Sequence, residues 1–487
     1  MSAEYDLVIR GGTLVTSTDV FRADIAVQNG RIAAIGENLS GKRAIDADGL
    51  LVIPGGVDTH CHLDQVEPGM GYGAQDFVTG SRSAVLGGTT SAISFVSQFK
   101  GEPIREVLAE TLKRGRRSII DYSFHQILAD PTDDVIAELP AIIASGIRSL
   151  KVFLTYDAIR LDDRQYLRVL AAARREGAMV AVHCENYDAI GWLTEQLLAA
   201  GLTAPKYHAW SRPKVVEREA TYRAIALAEL VDTPIQVFHV SCAEVAEEIG
   251  RAQRRGLKVW GETCPQYFTL TAADMDRPGL EGAKYMCSPS PRDEADHEGL
   301  WEMMRQGVID VVSSDDSAFN TTGHHAKDQN GPKAPFSAIP NGVPGVGARM
   351  PLLFSEGVVK GQIDLPTFVA LSATNPARIY GLEGRKGSLM PGADADIVLW
   401  DPNKKQTITN ALLQHGVDYT PYEGREVTGW PVMTIRRGEI VMQDGQMVAA
   451  EGSGAFLARE PYELARPLGR LANGFDAASY DTPGAAR

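Results

Sequence analysis

Residues 1–53 alternate apolar and polar positions in short runs, "YDLVIRGGTLVT", "ADIAVQNGRIAAIGENL" and "RAIDADGLLVI", and Asn29-Gly30 marks a tight hairpin turn. The same pattern returns in "GSLMPGADADIVLWDP" and "VMTIRRGEIVMQDGQMV". It predicts one small β domain assembled from both chain ends, residues 1–53 and 385–455, followed by a tail, 456–487. Residues 54–384 read differently. Eight strand-like runs, "GVDTHCH", "TSAISFVSQ", "IIDYSFHQI", "SLKVFLTY", "MVAVHCEN", "IQVFHVSC", "LKVWGETCPQY" and "IDVVSSDD", alternate with amphipathic stretches such as 105–117 and 164–176. That order is the pattern of a parallel α/β fold, and eight strand–helix units predict a TIM (β/α)8 barrel. The expected architecture is therefore such a barrel with a small β-sandwich domain built from both chain ends.

Composition narrows the setting. The 487 residues are 44% hydrophobic and 23% charged, enough for a large and a small domain in an ordinary globular chain. "MSAEYDLVIRGG" lacks the basic flank and apolar core of a signal peptide, and no apolar run approaches the roughly 18 residues of a membrane span. A cytoplasmic protein without membrane contact is expected. Five cysteines, Cys61, Cys184, Cys242, Cys264 and Cys287, contain no CxxC pair, which argues for reduced thiols and against a disulfide framework or a zinc knuckle. The net charge of −14 comes without a basic block, so nucleic acid is not an expected partner.

Candidate chemistry begins at "GGVDTHCHLDQVEPG". In an extended strand His60 and His62 share a face while Cys61 points away, an arrangement that can grip one metal ion, although a histidine in an apolar segment is more often a core residue. Barrel active sites lie at the C-terminal strand ends, where this chain places His183, His239 and Asp315, with Lys151 inside its run. Each alone reads as a core or rim residue; their joint placement points to a site. Lys151 is the odd member, because a buried ammonium beside a metal must be paired or lose its charge. A neutral amine can take up carbon dioxide as a carbamate, whose two oxygens share a negative charge and could bridge two ions. His125 reads as core or as a residue behind the site; His208, His297, His324, His325 and His415 read as surface residues. The loop 65–75, with Val66, Met70 and Tyr72, follows the first strand and is expected to wall the barrel mouth over a substrate.

The chain resembles the cyclic amidohydrolases typified by dihydropyrimidinase and D-hydantoinase. The resemblance rests on "PGGVDTHCHLD", "KVFLTY", "VHCEN", "FHVSC", "GETCPQY", "SPSPRDE", "SSDDSAFN", "FSAIPNGVPGV" and "GSLMPGADADIVLWD", in that order across nearly the whole chain. It implies two divalent metals, zinc by the family's habit, bridged by carboxylated Lys151, with His60, His62 and Asp315 on one ion and His183 and His239 on the other. It further implies that Asp315 shuttles the proton, that Tyr156 donates to the developing oxyanion, and that Ser288 and Asn341 bind the ring imide largely through backbone groups. The substrate class is a cyclic amide, and the assembly a homotetramer. Some relatives are non-enzymatic assembly proteins that have lost metal ligands; all six positions are present here, so an enzyme is expected.

Substrate choice is read after HxH. Asp64 stands where dihydroorotases have arginine, which favours the hydantoinase and dihydropyrimidinase side, whereas Glu67-Pro68-Gly69 resembles allantoinases and keeps allantoin and imides as alternatives. Asp316-Ser317 stands where relatives commonly have histidine or asparagine followed by cysteine, and is expected to add a negative charge beside Asp315.

Overall fold

The computed structural model describes residues 5–67, 70–472 and 474. All eight runs form strands of one parallel sheet in chain order: Gly56–Asp58, Thr89–Val96, Asp121–Ile127, Ser149–Phe153, Met179–His183, Ile235–Val237, Val259–Thr263 and Ile309–Val312. Both faces are covered, which is why these runs are apolar rather than alternating. In the fourth strand Leu150 and Val152 join the core shared with the outer helices, while Phe153 belongs to the inner cluster with Ile93, Phe95 and Phe238. Two of the expected helices are Ile104–Gly115 and Asp163–Glu176. The second starts with an Asp162/Gln165 capping box and stops at Gly177, whose φ of +65° suits a residue without Cβ.

The first and eighth strands share no ladder of their own. The chain just beyond them makes the join: the Asp315 N–H donates to the His60 carbonyl and the His62 N–H to the Asp316 carbonyl, both at 2.8 Å. HxH therefore lies past the strand rather than within it, on the rim where the barrel closes.

The chain ends build one mixed nine-stranded sheet, from Tyr5–Val15, Val20–Gln28, Arg31–Gly36, Gly41–Asp46 and Leu51–Pro54 with Ile397–Thr407, Glu426–Arg436, Glu439–Gln443 and Gln446–Met447. The two ends meet where Val52 lies opposite Leu399 in an antiparallel pair. Asn29 and Gly30, at φ +52° and +74°, make the hairpin turn, with Gln28 opposite Arg31. Leu14, Ile25, Val52, Ile397 and Ile435 share one core, so the sheet curls over itself. The chain crosses to the barrel at Gly55, where a Cβ would lie 2.2 Å from Thr90 Oγ1.

A buried ion cluster bolts the two parts together. Lys386 Nζ reaches Asp121 at 2.7 Å, Asp396 at 2.8 Å and Asp394 at 3.1 Å. Lys386→Met strands these carboxylates, so it is expected to destabilise the fold by about 3–5 kcal/mol, read as a lower urea midpoint at unchanged metal content.

The barrel floor is plugged from the C-terminal side. Tyr380 and Leu457 join the inner cluster, and the Arg459 guanidinium donates to the Ser149 hydroxyl at 2.8 Å and the Phe124 carbonyl at 2.5 Å. The N–H groups of Leu468, Gly469 and Arg470 converge on the Asp232 carboxylate. The tail from residue 456 thus packs on its own barrel as far as residue 472; the remainder lies outside the described residues apart from Gly474. Among the described residues no helix is long and apolar enough to cross a membrane, and all five cysteines are buried free thiols.

Candidate active site

Rim hydrogen bonding brings residues 253 apart in sequence into contact. Asp315 Oδ1 lies 3.0 Å from His60 Nε2 and 3.2 Å from His62 Nε2. The His183 and His239 rings sit 4.3 Å apart, and His239 lies 5.4 Å from His60. Phe238 stacks on His60 at 4.1 Å and Phe95 on His62 at 4.5 Å, giving the imidazoles an apolar backing. Asp315, His239 and Tyr156 all take positive φ, +48°, +42° and +72°. Such backbone is costly for residues with a Cβ and collects at functional sites.

The hydrogen bonds behind the histidines fix which nitrogens face inward. His60 Nδ1 is 2.6 Å from Glu262 Oε1, so it donates and leaves Nε2 toward Asp315. His62 Nδ1 is 2.6 Å from Gln65 Oε1, and Gln65 Nε2 in turn donates to Glu67 at 3.0 Å. Burial lowers the His62 pKa, so its Nε2 presents a lone pair to a carboxylate oxygen. Two acceptors cannot bond each other; a cation belongs between them. On the other side, burial takes His183 down to about 4 and His239 well below the usual range, leaving both rings neutral and able to coordinate. His183 Nε2 is held by Glu185 at 2.7 Å, and Arg212 donates to the same carboxylate at 2.5 Å. Burial opposes ionisation of Glu185, but Arg212 and His183 hold it at about 2.

Lys151 is fully buried with Nζ over the rings of Phe238, 4.1 Å, and Phe153, 4.7 Å. Burial pushes its pKa down to about 7. Among the described residues neither Lys151 Nζ nor His239 Nδ1 has a hydrogen-bond partner. The converging lone pairs and these two orphaned nitrogens fit metal ligation: His60, His62 and Asp315 form a group whose donor atoms lie within 4.8 Å of one another.

Above the centre is a cavity of about 370 Å³ lined by the four histidines and Asp315, with Tyr156, Ser288 and Asn341 on its wall. Asn341 Oδ1 accepts from the Ser288 hydroxyl at 2.7 Å and from the Tyr156 phenol at 3.4 Å. Burial raises the Tyr156 pKa, so it stays a protonated donor.

Met70 lines the cavity, but Asp64 and Tyr72 do not. Asp64 turns to Arg114, 3.2 Å away, and the same guanidinium lies over the Tyr72 ring at 4.3 Å; Tyr72, Val66 and Arg114 line a separate depression. Pro68 and Gly69 lie outside the described residues. Asp316, expected to add a negative charge beside Asp315, is buried. Its carboxylate accepts from the N–H groups of Gly345 and Val346 and from Gln75, at 2.8–2.9 Å, and so serves the backbone of the following turn. His208 is buried rather than on the surface, with Nε2 2.9 Å from the Cys287 carbonyl and 3.3 Å from Ser288 Oγ, because the helix Tyr207–Ser211 folds over that segment. His325 is buried too, stacked on Phe319 at 4.9 Å. His125 sits beneath the site between Ser149 and the Thr59 carbonyl.

Sequence reasoning missed Glu262, Glu185, Gln65 and Arg212. The first two stand inside the quoted runs "GETCPQY" and "VHCEN", and a carboxylate in a buried run demands a partner, which was the available signal. Arg212 carries no such mark.

The amidohydrolase family pattern matches residues 51–441. D-hydantoinase of Geobacillus stearothermophilus is 43% identical over 461 residues, 93% of this chain and 97% of that one, and D-hydantoinase of Ralstonia pickettii is 42% identical over 94% and 100%. The crystal structure of dihydropyrimidinase from Brevibacillus agri superposes with a TM-score of 0.90 at 40% identity, covering 94% of this chain and 99% of that one. With its parallel barrel, its rim of histidines and carboxylate, and likeness running through both ends, the chain belongs to the amidohydrolase family.

Proposed function

We propose that this chain is a metal-dependent hydrolase that opens the ring amide of hydantoins, dihydropyrimidines or closely related cyclic ureides and imides. The observation that carries this reading is the crowding of His60 Nε2, His62 Nε2 and Asp315 Oδ1 at 3.0–3.2 Å beside the unpartnered Lys151 nitrogen, at the base of a cavity able to take a small ring. Carboxylated Lys151 with His60, His62 and Asp315 would hold one ion, and Lys151 with His183 and His239 the other. Imidazole and carboxylate donors suit zinc. Ions there would supply a nucleophilic water at neutral pH and polarise the ring carbonyl. Carboxylation forms one N–C bond between the neutral Lys151 amine and carbon dioxide and releases one proton.

The chain's own groups do the rest. The Asp315 carboxylate takes the proton of the attacking water and returns it to the leaving ring nitrogen. Tyr156, kept protonated by burial, donates to the oxygen that gains charge. Ser288 and Asn341 hold the far side of the ring. A homotetramer is part of this reading; the exposed Trp192, Trp210 and Tyr222 supply apolar surface for copies to cover, and light scattering measures the assembly.

The test is kcat/KM across dihydrouracil, hydantoin, 5-substituted hydantoins, allantoin, succinimide and phthalimide, on protein prepared with zinc and bicarbonate. Ring opening of the first three classes is expected, and activity on none of the panel refutes the reading. Met70, alone of the three loop side chains singled out, lines the cavity. Met70→Ala is expected to change the kcat/KM ratio between a bulky 5-substituted hydantoin and hydantoin by about tenfold, and Tyr72→Ala to leave it unchanged.

A further inference from the structure

The loop that follows the eighth strand returns through a bridge between Asn320 and Ala326 and delivers Lys327 to the interior. Lys327 is fully buried, and among the described residues no carboxylate pairs with it. Its Nζ donates instead to two carbonyls, Pro340 and Gly342, each at 3.0 Å. A buried ammonium without a counter-charge is expensive, and burial takes its pKa down to about 7. An apolar residue of similar length would fill the same space without that cost, so the two donated bonds call for a reason.

The residue between those carbonyls is Asn341. Residues 340–342 line the cavity as a narrow strap, pinned on its far side by the Gly342 N–H to the Met286 carbonyl at 2.8 Å. A Cβ at Gly342 would lie 2.4 Å from the Ser317 carbonyl oxygen, so the strap has no room to shift that way. Among the described residues, the N–H and carbonyl of Asn341 itself have no hydrogen-bond partner. Asn341 is half-buried and lines the cavity, so the partner these groups lack can come from that side. The Pro340 carbonyl and the Asn341 N–H belong to one peptide unit, so a donor on the oxygen strengthens the N–H as a donor in turn.

We infer that Lys327 is a positioning residue for substrate binding: by clamping the carbonyls on both sides of Asn341 it aims that residue's free peptide groups at the ring imide and sharpens the Asn341 N–H. The inference rests on the cyclic-amide reading of the same site. Lys327 acts on ring binding, which is common to ground and transition states, so its loss should appear in KM rather than in kcat.

The test uses the zinc-loaded enzyme with hydantoin. Lys327→Met is expected to raise KM about tenfold with kcat held within about threefold and zinc content unchanged, and Lys327→Gln, which keeps a single donor arm, to fall between it and wild type. Should the Met variant fail to fold, the Gln variant decides the matter by the same readout. A purely structural lysine would lower Tm and yield but leave the KM of the surviving enzyme unchanged, and that result, or a fall in kcat at constant KM, overturns the role of Lys327 alone. A wild-type enzyme that opens no ring overturns the reading of the site, and this inference with it.

Discussion

Asp315→Asn is expected to lower kcat on hydantoin by at least about 10²-fold, the lower end of what general acid–base catalysis contributes. The amide keeps the shape and the Oδ1 position that His60 and His62 crowd, but it cannot accept the proton of the attacking water. The side chain is fixed from both directions, since its own N–H is bonded to the His60 carbonyl. Metal content is measured alongside. A variant that retains metal and loses turnover assigns the proton to Asp315; near wild-type kcat would send the proton elsewhere.

Lys151→Ala is expected to cost more. Removing the side chain proposed to serve both halves of the centre should lower metal content and reduce activity by about 10³-fold or more, corresponding to the several kcal/mol that metal polarisation supplies. Short carboxylic acids diffusing into the vacated space are expected to restore part of both. Intact-mass measurement on wild type checks the carbamate itself, and full metal content with full activity in the variant refutes the assignment.

The barrel was legible because its strands are local signals: eight buried runs each announce themselves within a handful of residues, and the spacing between them leaves room for one helix. The hairpin at Asn29-Gly30 was legible for the same reason, as its backbone demands those residue types. The histidines, Lys151 and Asp315 could be lined up at one end of the barrel once the strands were known, since strand direction alone fixes which end is the mouth. What escaped the sequence depends on folding back. Glu262 meets His60 across 202 positions and Arg212 meets Glu185 from the bend that follows the helix Tyr207–Ser211, pairings that no local pattern encodes. His208 looks like a surface residue because its own helix is short; the segment it covers belongs to a distant part of the chain. Tyr72 follows the ligands in sequence, which points it to the pocket, but Arg114, on the helix Ile104–Gly115, competes for it and wins.

The rim bonds between residues 60–62 and 315–316 carry a mechanical consequence. They close the barrel in a seam between its first and last strands, with two backbone bonds where the strand pairs on either side each have ladders of three residue pairs. An ion gripped by side chains from both lips would rivet that seam, and its binding free energy would add directly to the cohesion of the cylinder. Stripping the ions with a chelator should then do more than silence the enzyme. Amide hydrogen exchange at these few positions would quicken first, before the helices on the far wall respond, as a hoop loosens at its clasp.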